Sequence, residues 1–204
     1  MKLYFVRHGE TDWNRRGKIQ GQADIPLNSR GRMEAERTAE YLKKIPFDAA
    51  FTSPLIRARD TGKIILKNRE CPVRETELLK EISYGVKEGQ RLWMIHHWPV
   101  CRLHAYFHHP ERFVPPRKGE SIAELKSRCR KFLYDVALPL EHEKKHILVT
   151  THGAWIRGMI SEVEQLPDEQ FWEGKNQKNC SVTVIDCTLG KMRLEKEAIS
   201  ASEL

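Results

Sequence analysis

The sequence predicts an α/β protein: a three-layer α/β/α sandwich with a mostly parallel central sheet and a small helical cap insertion. Three observations lead there. Short apolar runs of strand length alternate with stretches whose apolar residues recur at helical spacing, the order that builds a parallel sheet covered on both faces. Two of those runs, "LYFVRHGE" (3–10) and "HILVTTHGA" (146–154), end alike, each bringing a histidine and a glycine to the C-terminal end of a strand. Ligands of open α/β sheets bind outside the carboxyl ends of the strands. Finally, 204 residues with 40% hydrophobic and 31% charged side chains suit one domain with a substantial core.

After the first strand, residues 11–28 read as a loop punctuated by Asn14, Gly17, Gly21 and Pro26. Residues 29–45 read as a helix, with Asn28 or Ser29 as N-cap and Ala35, Ala39 and Leu42 on one face. "FDAAF" (47–51) is a short strand, and "PLIRARDTGKIIL" (54–66) a helix that turns Leu55, Ile64 and Ile65 to the core. Residues 71–89 are short, strand-like or irregular pieces. Residues 90–118, rich in Trp, His and Pro, read as a helical insertion followed by a "VPP" loop. Helical spacing returns from Ser121 to about Val136 through Ile122, Leu125, Cys129 and Phe132, and Pro139 kinks or ends it. A strand at 146–151, a helix from Ala154 to Leu166 and the strands "SVTVID" and "KMRLEKE" complete the chain. With no repeat, linker or low-complexity tract, residues 1–204 are expected to form a single domain with a cap insertion at about 90–118.

The net charge of +7 comes from basic residues interleaved with acids along helices, which reads as a solvated surface with a positive bias. Such a bias also attracts small phosphorylated anions. It is not a nucleic-acid recognition motif. No apolar stretch approaches the roughly 20 residues of a membrane helix, so neither nucleic acid nor membrane is expected as a partner. Five widely scattered cysteines without a CxxC pair fit reduced thiols and a cytoplasmic protein. The N-terminus runs from Met-Lys straight into a strand, and no cleaved signal is expected.

The candidate chemistry lies in Arg7, His8, Arg57, Glu81 and His152. A phosphate ester is a dianion, and guanidinium forks with charge-assisted hydrogen bonds bind it well. Arg7 and Arg57 supply the forks, and His152 a further donor. Neutral imidazole attacks phosphorus and yields a phosphohistidine, splitting one hard displacement into two. His8 is the candidate nucleophile; it needs an acceptor on its other ring nitrogen to fix the tautomer, which a backbone carbonyl would supply. One carboxyl with a raised pKa can protonate the leaving group and later deprotonate water. Glu81, at the end of the apolar approach "LLKEISYG", is the candidate.

Five blocks in order resemble the histidine phosphatase superfamily, the phosphoglycerate-mutase-like family: "VRHGETDWN" (6–14), "TSPLIRARDT" (52–61), "LLKEISYGVKEG" (78–89), "GES" (119–121) and "THGA" (151–154). A single Arg-His-Gly carries little weight, but five ordered blocks, each with its expected polar residue, form a specific signal. The resemblance implies a phosphorylated His8, an Arg7 that grips phosphate, and catalytic Arg57, Glu81 and His152. It implies substrate contacts from Arg7, Asn14, Gly21, Arg57, Tyr84, His152 and Gly153, with no metal or organic cofactor. It further implies that the two His-Gly strand ends form opposite walls of one phosphate pocket. The compact cap, ending in Arg117 and Lys118, looks more like the short broad-specificity and ribazole phosphatases than the mutases. Tyr84 fits the mutase form of its block, and Lys87 stands where the phosphatase pattern has tryptophan.

Each residue also has a plainer reading. His8 and His152, taken singly, read as satisfied core histidines, and Asn14 as a turn residue. Arg57 and Arg59 point different ways on one helix, so one is a solvated charge. Periodicity does not separate Glu81 from Glu77 and Glu88. In the cap, His104 and His108 share a helical face, and His96, His97 and His109 are near. Without HExxH or a partnering carboxylate, no metal site is expected. Trp93, Trp98, Tyr106 and Phe107 are expected to pack the cap onto the domain, with one or two at the substrate mouth. The expected activity is hydrolysis of a small phosphomonoester through phospho-His8. A phosphoglycerate mutase and a non-catalytic phospho-ligand module are the alternatives. A homodimer is left open, as are the substrate and pathway.

Overall fold

Six strands form one sheet in the order β3-β2-β4-β1-β5-β6 in the computed structural model, which describes residues 1–200. They are β1 (Lys2–Arg7), β2 (Ala49–Thr52), β3 (Val73–Glu75), β4 (His146–Thr151), β5 (Val182–Thr188) and β6 (Lys191–Ile199). β3, β2, β4 and β1 run parallel, and β5 and β6 add an antiparallel edge. The helices are α1 (Asp12–Arg15), α2 (Ser29–Leu42), α3 (Ile56–Ile65), α4 (Leu92–His97), α5 (Arg102–His108), α6 (Ile122–Phe132) and α7 (Gly153–Val163).

Alternation along β1 sorts the two faces. Leu3 and Phe5 pack into one core with Leu125 and Phe132 of α6 and Trp155 and Met159 of α7. Tyr4 and Val6 point the other way, into a second core with Leu42 of α2 and Ile65 of α3. Strand side chains alternate between faces, so a sheet buried on both sides reads as the continuous apolar runs seen in β1 and β4. Helix faces follow the expected spacing: Ala35 and Leu42 are buried, as are Ile122, Leu125, Cys129 and Phe132.

Several boundaries differ from the sequence reading for local reasons. Residues 12–15, read as loop, form the short α1, because Thr11 and Asn14 make reciprocal capping bonds to each other's backbone amides. Asn28 caps α2 by accepting from the Gly31 amide. Ahead of Pro139, α6 widens into a π-turn at Leu133–Ala137 and then tightens at Leu138–Leu140, as a proline that cannot donate requires. The exposed Trp93 and Trp98, each 57% accessible, do not pack the segment 90–118 down; Tyr106, fully buried, does so, through ring contacts with Tyr84, Phe113 and Trp172. Cys180 and Cys187 are buried. Among the described residues, no helix is long and apolar enough to cross a membrane.

Candidate active site

The parallel register of β1 and β4 pairs Arg7 with Thr151, so the residues that follow, His8 and His152, leave the sheet side by side. Their ring centroids are 5.2 Å apart. They are neighbours on one side of the site, which corrects the expectation of opposite walls. His8 borders a cavity of about 420 Å³, whereas His152 lies behind it, fully buried. The Gly9 backbone passes so close to α2 that an added Cβ would lie 2.3 Å from the Gly31 carbonyl oxygen, so the loop after His8 requires glycine there.

The tautomer of His8 follows from its partners. Its Nδ1 lies 2.8 Å from the Gly9 carbonyl, which can only accept, so Nδ1 carries the proton. Its Nε2 then holds a lone pair, which accepts from Arg57 Nε at 3.2 Å. Burial, followed by the Arg57 and Arg7 guanidinium groups, holds the His8 pKa well below the ordinary histidine value. The imidazole is neutral and nucleophilic at pH 7. The required carbonyl thus belongs to the adjacent residue.

Arg57 is fully buried. Besides His8, its Nη1 donates to the Ala23 carbonyl at 2.7 Å and its Nη2 to the Gly21 carbonyl at 2.6 Å. Burial lowers its pKa to about 10, so it remains a cation at neutral pH. Gly21 contributes through its backbone. Its φ of +55° lies in the left-handed region, and a Cβ there would fall 2.3 Å from Glu88 Oε1. Arg59, one face round the helix, lines a different hollow on the far side of α3. Arg7 Nη1 is tied to the Gln177 carbonyl at 2.5 Å, and its buried Nε has no partner among the described residues.

Glu81 is separated from its neighbours by geometry. Glu77 is exposed and pairs with Lys80, and Glu88 accepts from the backbone amides of Gln22 and Tyr84. Glu81 alone of the three borders the cavity. Its Oε1 accepts from the Ile82 and Trp155 amides, both at 3.0 Å, and its Oε2 from the Ala154 amide at 3.1 Å. Burial raises its pKa and outweighs these amides and the two arginines, which act to lower it. A carboxyl whose pKa burial raises, held by the first-turn amides of α7 and bordering the cavity, can act as an acid.

Asn14, Gly21, Tyr84 and Gly153 also border the cavity. Asn14 Oδ1 is taken up by Thr11 and by Asn179 Nδ2, which leaves its Nδ2 to donate elsewhere. The Tyr84 hydroxyl is buried, and that burial raises its pKa. Arg117 and Lys118 do not border the cavity; both are exposed. In the cap, Phe107 and His96 reach the cavity rim. His104 and His108 stack at 4.3 Å, and among the described residues no group of three His, Cys, Asp or Glu is arranged to hold a metal ion.

Sequence reasoning missed Ser53, Trp172, Arg157 and the segment 174–179. Ser53 Oγ lies 2.8 Å from His152 Nε2 while accepting from the Leu55 amide at 3.3 Å. His152 Nδ1 has no partner among the described residues. The only signal for Ser53 was its place in "TSPLIRARDT". Asn179 donates to the His8 carbonyl at 2.9 Å from a loop with no periodic pattern.

Residues 3–199 match the family described as the histidine phosphatase superfamily (branch 1). The chain is 37% identical over 158 residues to "Uncharacterized phosphatase PhoE" of Bacillus subtilis, covering 78% of this chain and 75% of that one. It is 32% identical over 180 residues to "2,3-bisphosphoglycerate-dependent phosphoglycerate mutase 2" of Gloeobacter violaceus, covering 82% and 78%. Among solved structures, YhfR of Bacillus stearothermophilus superposes with a TM-score of 0.90 at 28% identity, covering 98% of both chains.

Proposed function

The chain belongs to the histidine phosphatase superfamily, and from that premise we propose that it hydrolyses a small phosphomonoester through phospho-His8. The observation that carries this reading is the state of His8: neutral, with Nδ1–H committed to the Gly9 carbonyl and the Nε2 lone pair turned towards Arg57 beside the cavity.

In the first step, His8 Nε2 attacks phosphorus, the ester P–O bond breaks, and the leaving oxygen takes the proton of the Glu81 carboxyl. The bond from Arg57 Nε to His8 Nε2 has to open as substrate enters, and the same N–H then serves a phosphoryl oxygen. Arg7 Nε, without a partner among the described residues, and Asn14 Nδ2 are the remaining donors for the charge-spreading transition state, and His152 backs His8 from behind the cavity. In the second step the Glu81 carboxylate takes a proton from water as its oxygen bonds phosphorus, and the P–N bond breaks. Inorganic phosphate leaves, and His8 and Glu81 return to their starting states. Residues 90–118 act in this reading as a cap over the single domain, through His96 and Phe107 at the rim.

Phosphate release from aryl, sugar and three-carbon phosphomonoesters, by wild type and His8→Ala in parallel, tests the proposal. Release that vanishes in the variant supports it. The mutase among the relatives favours a second reading, in which phospho-His8 returns its phosphoryl group to another substrate hydroxyl; isomerisation of phosphoglycerate without phosphate release would select it.

A further inference from the structure

The cavity holds more positive charge than a phosphoryl group requires. Arg7, Lys18, Arg57, Arg157 and Lys175 border it, against Glu81, whose carboxyl burial pushes towards the neutral form. Arg7 and Arg57 suffice for a phosphate dianion. Arg157 and Lys175 lie on a segment of the wall that the reaction above does not use.

Arg157 stands one turn along α7 from Gly153 and is only 3% exposed. Its Nε donates to the Phe171 carbonyl at 3.0 Å, and its Nη1 pairs with Glu197 Oε1 at 2.6 Å. Its Nη2 has no partner among the described residues. A buried guanidinium N–H without an acceptor is costly, and an ordered water or a bound anion can satisfy it. Lys175 is tied to the same place: its backbone amide donates to Glu197 Oε1 at 3.0 Å, the oxygen that holds Arg157. Its side chain is exposed and forms no ion pair among the described residues. Glu197 thus ties the buried Arg157 guanidinium to the Lys175 backbone, and Arg157, Lys175 and Trp172 all border the cavity.

We propose that Arg157 Nη2 and Lys175 Nζ form a second anion subsite. The substrate would then be a phosphomonoester that carries a further anionic oxygen group, a carboxylate or a second phosphate, away from the reacting phosphorus. This deepens the phosphatase reading by naming the substrate class, and it rests on that reading for the placement of the first phosphate. One phosphate against Arg7 and Arg57 leaves Arg157 and Lys175 to select the other end, whereas Arg117 and Lys118 do not border the cavity.

Binding to the His8→Ala protein, followed by calorimetry, tests the subsite without turnover. Two pairs of probes differ only in the second anion: 3-phosphoglycerate against glycerol 3-phosphate, and fructose 1,6-bisphosphate against fructose 6-phosphate. The expected result is tighter binding, by about tenfold or more, of the doubly anionic member of at least one pair, since a charge-assisted bond contributes on that scale. Which pair discriminates identifies carboxylate or phosphate. Lys175→Glu, a change at an exposed position, should bring that ratio close to one. Equal binding within both pairs, or a ratio unmoved by Lys175→Glu, overturns the subsite. Aryl phosphate hydrolysis by the wild type reports separately on the catalytic reading: hydrolysis without discrimination refutes the subsite alone, and discrimination without hydrolysis refutes the hydrolase alone.

Discussion

Replacing Glu81 by glutamine separates its two tasks. As a fold element, the carboxylate accepts three backbone amides, two on Oε1 and one on Oε2. Glutamine keeps an acceptor for the Ile82 and Trp155 amides but turns an NH2 towards the Ala154 N–H. One bond is lost, at a cost of about 1–2 kcal/mol, with α7 still capped on its other amide. As an acid, the group is expected to contribute roughly 10²–10⁴-fold to expulsion of a poor leaving group. An aryl oxide of low basicity leaves without a proton, so an aryl phosphate escapes most of that loss in the first step. Steady-state kcat/KM on an alkyl and an aryl phosphate should therefore fall unequally, the alkyl substrate by about a hundredfold or more beyond the aryl one. Because burial raises the carboxyl pKa, the acid form persists to higher pH than for a free glutamate. Wild-type turnover of the alkyl ester should then decline as pH rises through that value, a limb the variant lacks. Equal losses on both substrates, with the variant still folded at the assay temperature, would remove Glu81 from proton transfer.

Three further outcomes follow from the same contacts. Burial and Arg57 hold His8 and His152 neutral well below the ordinary histidine pKa of 6.5, so only the unfolded chain binds those protons as pH falls below 6.5. Stability, present above that pH, should then decline by up to about 1.4 kcal/mol per histidine per pH unit. Glu81, with a raised pKa, acts in the opposite sense between 4.5 and its folded value. Urea midpoints at pH 7.5, 6.5 and 5.5 measure the net, and a flat profile refutes it. Ser53→Ala removes the hydroxyl bonded to His152 Nε2, loosens the imidazole that packs against His8, and should lower kcat about tenfold with KM little changed; an unchanged kcat refutes the positioning role. Arg57→Lys gives up the two-pronged hold on the Gly21 and Ala23 carbonyls and should cost about 2 kcal/mol in stability and at least a hundredfold in kcat/KM, which chemical denaturation and initial rates would show.

The parts of this fold legible in the sequence are those whose signal is local. β1 and β4 announce themselves as apolar runs because both faces of the sheet are covered, and α2 and α6 because Leu42, Leu125 and Phe132 fall at helical spacing. Arg7, His8, Arg57 and His152 could be named because each sits at a strand end or a helix start. What stayed hidden depends on contacts distant in sequence. Asn179 reaches His8 across 171 positions, and Arg157 meets Glu197 across 40. The short α1 escaped notice because its capping partner is Asn14 rather than the usual glutamate or glutamine. Nor could spacing show that Glu77 faces solvent while Glu81, four residues on, meets the amides of α7.

That last contact explains why acid and fold are hard to separate here. The start of α7 offers unsatisfied N–H groups and a positive dipole end, a natural seat for an anion. Two of its amides hold the Glu81 carboxylate, so in the proposed reaction the helix fixes the acid and the phosphoryl group falls to Arg7, Arg57 and Asn14. Those amides favour the ionised carboxylate while burial opposes it, and burial prevails. A group balanced between the two is suited to giving a proton in one step and taking one in the next. Severing one amide bond would shift that balance towards the acid form, so the same helix start that orders α7 also sets how readily the site exchanges its proton.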